Sequence, residues 1–189
     1  MVNSGNFEEA QTAQVVICDF SAAAVESFLR FLYSGMVEGS LLTLVEVAAV
    51  ADKYQVHRLH ALCVQACQHG LKPAMACAAF ESADRLRLAS IRRSAKEQIL
   101  IHPGEALKDG QNLSPQLLSE LLSSNLLCIE NEALRRLLSA WGNQKKRKAA
   151  AMDDDSQQPI ISRFMSELSK LSNRRPAQHS TVLKTLGDR

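Results

Sequence analysis

The chain has 189 residues, of which 46% are hydrophobic and only 5% aromatic, with 22 Lys and Arg against 20 Asp and Glu for a formal net charge of +2. That length allows one good core or two small ones, the charge is too near neutral to imply a nucleic-acid or membrane surface by itself, and no apolar run approaches the ~20 residues needed to span a bilayer. Nothing near Met1 resembles a signal peptide, and the five cysteines (Cys18, Cys63, Cys67, Cys77, Cys128), odd in number and mostly on apolar helix faces, read as reduced thiols in an intracellular protein.

Gln14 to Asp19, QVVICD, is rich in β-formers and predicts one short strand, for which the rest of the chain offers no convincing partner ladder. Three amphipathic helices follow. The first is capped by Ser21 and stopped at Gly35, and Val25, Phe28, Leu29 and Leu32 predict its inward stripe. Tyr33 falls off that stripe. The second, capped by Ser40, carries Leu41, Leu44, Val45 and Ala48, and the third carries Leu59, Leu62, Cys63 and Ala66 and ends at Gly70. Each has one apolar face, so none is stable without its neighbours.

Beyond Gly70 a helix starts at Lys72-Pro73 and carries Met75, Ala76, Ala79 and Phe80; a second has Leu86, Leu88, Ile91, Ala95, Ile99 and Leu100 along one side. Pro103 to Gln111 reads as a loop. Ser114-Pro115 then opens a helix striped by Leu117, Leu118, Leu121 and Leu122, and Leu134, Leu137, Leu138 and Trp141 stripe the next. From Gly142 the composition shifts to a charged linker, GNQKKRKAAAMDDDSQQP. Ile160, Ile161, Phe164, Met165, Leu168 and Leu171 build one more amphipathic helix, and Asn173 to Arg189 reads as a disordered basic tail.

The residues offer little chemistry. There is no phosphate-cradling Gly loop, no G-x-S-x-G elbow and no H-E-x-x-H. His57, His60, Cys63 and Cys67 share about a third of a helix circumference, but successive ligands on one straight helix cannot surround a tetrahedral ion, and lone buried cysteines behave as small hydrophobes. No Cys–His pair has an evident orienting third group. No enzyme, cofactor, metal or small-molecule substrate is expected. Lys145, Lys146, Arg147 and Lys148 form either a nuclear-import or phosphate-contacting patch or a solvated helix C-terminus.

Two motifs in the helical stretch go further than periodicity. Phe28 to Gly35, FLRFLYSG, resembles the helix end "φ-x-x-(F/Y)-(I/L)-Y-(T/S)-G" of BTB/POZ domains. Ala51-Asp52-Lys53-Tyr54-Gln55-Val56, followed by Leu59 and Cys63, resembles the same family's "A-D-K-Y-x-φ-x-x-L-x-x-x-C". Residues 1–70 thus look like the C-terminal part of a BTB/POZ domain, since no match to the family's dimerisation segment or its "H-K-x-φ-L-A-A-x-S" helix is found. Residues 71–141, through LSPQLLSELLSSNLLCIENEALRRLLSAW, resemble a BACK domain, although Glu130-Asn131 stands for the usual Ser-Glu and an aromatic near Arg135 is missing. Residues 142–189 complete the chain as linker, helix and tail.

The resemblance implies a mainly α protein: a truncated BTB/POZ fold, one short strand plus helices, followed by a BACK-like helical bundle. It implies a protein–protein interaction adaptor of the cullin-3 ubiquitin ligase type, in the cytoplasm or nucleus. Phe7-Glu8-Glu9 resembles the "φ-x-E" motif with which such adaptors hold the scaffold, so Phe7, Glu9, Tyr33 and the helix pair at 71–102 become the expected partner contacts. Two alternatives stay open: an interaction or self-association module without a ligase role, nuclear in one version, and a non-functional fragment.

Overall fold

The computed structural model describes residues 17–151 and, beyond them, Ser166. Among the described residues there are helices and irregular connections but no strand. The predicted strand at 14–19 is therefore not seen in its described part, where Ile17 and Cys18 are irregular and Asp19 lies in a bend; Gln14 to Val16 lie outside the described residues. The chain divides into two compact units, Met1–Cys67 and Gln68–Arg189.

The first unit holds α1 (Ala22–Ser34), α2 (Leu41–Lys53) and most of α3 (His57–Gly70). As expected, Ser21 caps α1: the Ala24 N–H donates to its Oγ at 3.3 Å. The hydroxyl in turn donates to Glu46 of α2, fixing the start of one helix to the middle of the other. Gly35 ends α1 at φ +71, its N–H donating to the Phe31 carbonyl at 2.8 Å, a backbone state that glycine reaches without a Cβ penalty. Ser40 caps α2 through the Thr43 N–H at 3.2 Å.

The covered faces differ from the predicted stripes. α1 buries Ala24 and Phe28, whereas Leu29 and Leu32 are 47% and 52% exposed. α2 is covered nearly all round from Val45 to Ala51, where Val45 and Val47 to Ala51 are all buried, and only Asp52 and Lys53 at its end are exposed. α3 buries Leu59, Cys63 and Cys67, spaced i, i+4, i+8, and leaves Leu62 40% exposed and Ala66 exposed. That choice brings His60 to α2, its Nδ1–H donating to the Ala48 carbonyl at 3.0 Å.

The turn between α2 and α3 explains the Ala51–Val56 motif physically. Gln55 is left-handed at φ 58, the Val56 N–H donates to the Ala51 carbonyl at 2.8 Å, and the Gln55 N–H to the Asp52 carbonyl at 3.0 Å. These are the two bonds of a Schellman helix end. A left-handed non-glycine residue is strained by about 1–2 kcal/mol, of which glycine's greater freedom in the unfolded chain offsets part. Gln55→Gly should therefore stabilise the first unit by about 0.5–1 kcal/mol, read as an upward shift in the urea midpoint. An unchanged or lowered midpoint would mean that the Gln55 side chain holds something that outweighs the strain.

The second unit holds α4 (Pro73–Arg85), α5 (Ala89–Ile101), α6 (Pro103–Ala106), a 3-10 segment (Leu107–Asn112), α7 (Pro115–Leu122) and α8 (Asn131–Ala151). α4 packs on α5 through Ala76, Ala79, Phe80 and Ala83 on one side and Ile91, Ala95 and Ile99 on the other. Alanine at three of the α4 positions lets the helices approach closely. A second Schellman turn joins them, with Arg87 at φ 58 and the Leu88 N–H donating to the Ala83 carbonyl at 2.9 Å.

The segment 103–111, read from sequence as a loop, is instead helical. Pro103 opens α6, where a missing N–H removes no helix bond. Ala106 and Leu107 then turn inward, and Cys77 donates to the Ala106 carbonyl at 3.1 Å. Gly110 is buried where a Cβ would stand 3.0 Å from Leu137 Cδ1, so glycine there lets the 3-10 segment lie against α8. The leucine stripes of α7 and α8 are covered as expected, and Ser114 caps α7 through the Leu117 N–H. The Trp141 indole N–H donates to the Leu113 carbonyl at 2.8 Å. α8 continues through Ala151, so the composition change at Gly142 falls inside a helix rather than at a linker.

Candidate docking surface

The last two turns of α1 present the clearest interaction feature of the first unit. Ala24 and Phe28 face inward, and Phe28 stacks near Tyr54 with ring centroids 5.5 Å apart. This fixes the rotation of the helix. Leu29, Leu32 and Tyr33 then turn to solvent, and Met36 follows just beyond Gly35 at 61% exposure. Tyr33 is 92% exposed. Alongside runs the Glu26–Arg30 pair at 2.8 Å, an exposed i,i+4 ion pair that contributes little stability but gives the strip a charged edge. Four large apolar side chains gathered beside a polar rim form the kind of patch that marks protein contact.

Of the sequence-predicted partner residues, Tyr33 lies in this strip, and Phe7 and Glu9 lie outside the described residues. Leu29 and Leu32, which the apolar spacing places in the inward stripe, belong to the surface instead. A helix wheel could place the apolar side of α1 but not decide which part of it the neighbouring helix covers, because Ala24 is small enough to read as neutral.

The basic run sits in the last turns of α8. Lys145 Nζ lies 5.6 Å from the centroid of the Trp141 ring, and Arg147 is exposed; the side chains of Lys146 and Lys148 are outside those described.

Of the histidine and cysteine positions on α3, His60, Cys63 and Cys67 are committed to packing, whereas His57 is exposed. His60 is bound to the Ala48 carbonyl, and burial pushes the Cys63 thiol up to about 12 and the Cys67 thiol up to about 11. Burial does the same to Cys77, also to about 12. Such thiols carry almost no thiolate near neutral pH, so they are poor nucleophiles and poor ligands. No group of three or more His, Cys, Asp or Glu among the described residues is placed to hold a metal. No helix among them is long and apolar enough to cross a membrane.

In the second unit an open cleft of about 260 Å³ has Leu107, Ile129, Ala133 and Leu137 among its lining, with Lys108 and Arg136 beside them. It is smaller than the usual small-molecule site. More distinctive is an ion cluster joining three helices. Arg92 of α5 binds Asp84 of α4 at 2.7 Å and reaches Glu120 of α7, which Lys96 also contacts at 2.6 Å. Partial burial by itself would raise the Glu120 carboxyl, but the hydrogen bonds from Lys96 and Arg92 prevail and hold it below the usual carboxylate value.

A carboxyl lowered by folding stabilises the folded state fully above its unfolded value of 4.5, and that contribution disappears as pH falls through the lower folded value. Glu120→Gln should thus lower the melting temperature of the second unit at neutral pH and converge on the wild type as pH falls through that lowered folded value. The effect is modest because a third of the side chain is in water. Parallel pH profiles for the two proteins would show that the cluster contributes nothing.

Residues 1–71 match the BTB/POZ domain family. The chain is 27% identical over 138 residues to mouse Kelch-like protein 38, covering 72% of this chain and 24% of that protein. It is 31% identical over 134 residues to human Kelch-like protein 33, covering 70% and 25%, and 25% identical over 127 residues to human Kelch-like protein 41, covering 66% and 21%. The chain spans about a quarter of the length of the curated relatives it matches.

Proposed function

We propose that this chain is a protein-binding adaptor of the BTB type that engages a cullin-3 scaffold through the first unit. The observation that carries the reading is the BTB/POZ match over residues 1–71, which has within it an exposed apolar strip on α1 ending in Tyr33. In this reading Phe7 is the apolar anchor, Glu9 a rim charge, and Tyr33 a second contact. The helices after residue 71 act as a BACK-type extension, a role supported by the Leu117–Leu122 and Leu134–Trp141 stripes. The protein works in the cytoplasm or nucleus, and Lys145 to Lys148 supply import in the nuclear case.

The test is a calorimetric titration of the chain with the N-terminal region of cullin-3. Aromatic anchors at interface centres often contribute about 2 kcal/mol or more, so Phe7→Ala and Tyr33→Ala should each weaken binding roughly thirtyfold. Glu9→Ala should act mainly through on-rate and salt dependence, and Lys108→Ala should be neutral. No binding by a folded wild-type chain, or binding undiminished by both aromatic changes, would overturn the scaffold reading. A second reading, self-association without a ligase role, rests on the same four exposed apolar residues, Leu29, Leu32, Tyr33 and Met36. Sedimentation would then show a dimer that Leu32→Lys dissociates.

A further inference from the structure

The joint between α4 and α5 reads Arg85-Leu86-Arg87-Leu88-Ala89-Ser90-Ile91, which sets two exposed arginines five and three residues ahead of an exposed serine. Three serines or threonines in the whole chain have arginine three residues before them: Ser90, Ser139 and Ser166. Ser90 alone of these also has arginine five residues before it. Kinases that select basic substrates read such positions with carboxylates, because bidentate guanidinium pairing supplies both affinity and register. We propose that Ser90 is a phosphoacceptor for an arginine-directed protein kinase using ATP.

In the transfer, the Ser90 Oγ attacks the γ-phosphorus of ATP. The Oγ–P bond forms as the bond from that phosphorus to the β,γ-bridging oxygen breaks, ADP leaves, and the hydroxyl proton passes to the kinase's catalytic carboxylate. The surroundings suit the product. The first turn of α5 has no acidic residue, and Leu88 before it makes no side-chain cap. Arg87 and Arg93 stand three residues to either side of Ser90, and Asp84, the acid closest in sequence, is held by Arg92. A phosphate placed there meets cations rather than like charge. Presenting Ser90 in extended form requires opening only the first turn of α5, and terminal turns open most readily. Ile91, 1% exposed, is the first anchored residue beyond it.

The experiment incubates the full chain with an arginine-directed kinase and radiolabelled ATP and maps the phosphate by fragmentation mass spectrometry. The expected result is one phosphate on Ser90, absent from Ser90→Ala. Arg87→Asn should slow incorporation by at least about tenfold, the loss of one charge-assisted contact. Its melting temperature should be unchanged, since asparagine accepts the left-handed backbone at that position. Incorporation confined to Ser139 or Ser166 would overturn the proposal. So would equal rates for wild type and Arg87→Asn, or phosphorylation of a free 83–97 peptide but not of the folded chain.

Discussion

Trp141→Ala is expected to remove a large share of the second unit's stability and lower its melting temperature strongly. Trp141 is the largest fully buried side chain among the described residues, and its indole N–H is bound to the Leu113 carbonyl just ahead of α7. The change removes a whole ring system from a site with no water access, and such truncations cost about 3–5 kcal/mol. It also leaves the Leu113 carbonyl without that donor, in a residue that is itself 0% exposed. An orphaned buried acceptor costs about 1–3 kcal/mol, although the two penalties overlap and do not simply add. Against a domain stability of about 5–15 kcal/mol, this loss is a large share.

Trp141→Phe separates the two contributions. It keeps much of the volume and loses only the donor, so its destabilisation should lie near the hydrogen-bond figure. The chain has a single tryptophan, so in the wild type its emission reports the unfolding of this unit directly. Circular dichroism follows the two variants. A Trp141→Ala melting curve that overlays the wild type would mean that α8 is not held by this contact.

How far sequence reached can be judged element by element. Helices α1 to α5, α7 and α8 were legible because their apolar spacing is strong, and α1, α2 and α7 also carry ordinary caps: Ser21, Ser40 and Ser114 each accept from the N–H three residues on. The covered faces were less legible. In α3, Leu62 and Cys63 are adjacent in sequence and both apolar, and only packing on α2 decides that Cys63 turns inward and Leu62 remains partly in water. α2 could not be read as buried nearly all round, since its small residues, Ala48, Ala49 and Ala51, carry little hydrophobic signal. The 103–112 segment was hidden for the opposite reason. Its Pro, two Gly, Lys and Asp are loop formers in isolation, and the burial of Ala106, Leu107 and Gly110 overrides them.

The turns show a similar limit. Gly35 announced a left-handed residue, but Gln55 and Arg87 adopt the same state without glycine. There the Schellman bonds, and a Val56 or Leu88 side chain following the turn, hold the backbone against its own preference. For the docking surface, helix geometry was enough to free Tyr33 from the core. It could not add Leu29 and Leu32, whose exposure depends on how α1 is rotated by Phe28 and Tyr54.

Phe80→Ala is the other change expected to have a large effect, and it tests whether core and ion cluster are one structure. Phe80 is 0% exposed on α4, and the Arg92 guanidinium stands 4.9 Å from its ring centroid. Truncation should cost about 3–5 kcal/mol through the cavity it leaves. It also removes the surface on which Arg92 rests while it holds Asp84 and Glu120, and a partly exposed cation–π contact is worth about 0.5–1 kcal/mol. Phe80→Leu fills part of the cavity without restoring the π face, so it should recover most of the first loss and none of the second. The decisive measurement is a double-mutant cycle pairing Phe80→Leu with Arg92→Met, read from urea midpoints. A coupling of at least about 0.5 kcal/mol is expected, because residues in contact do not contribute independently. Phe80→Leu should also flatten the acid-side loss of stability attributed to Glu120, since a displaced Arg92 holds that carboxylate less firmly. Strict additivity, with the acid profile unchanged, would show that the guanidinium needs no ring beneath it and that the cluster is a surface feature laid over an independent core.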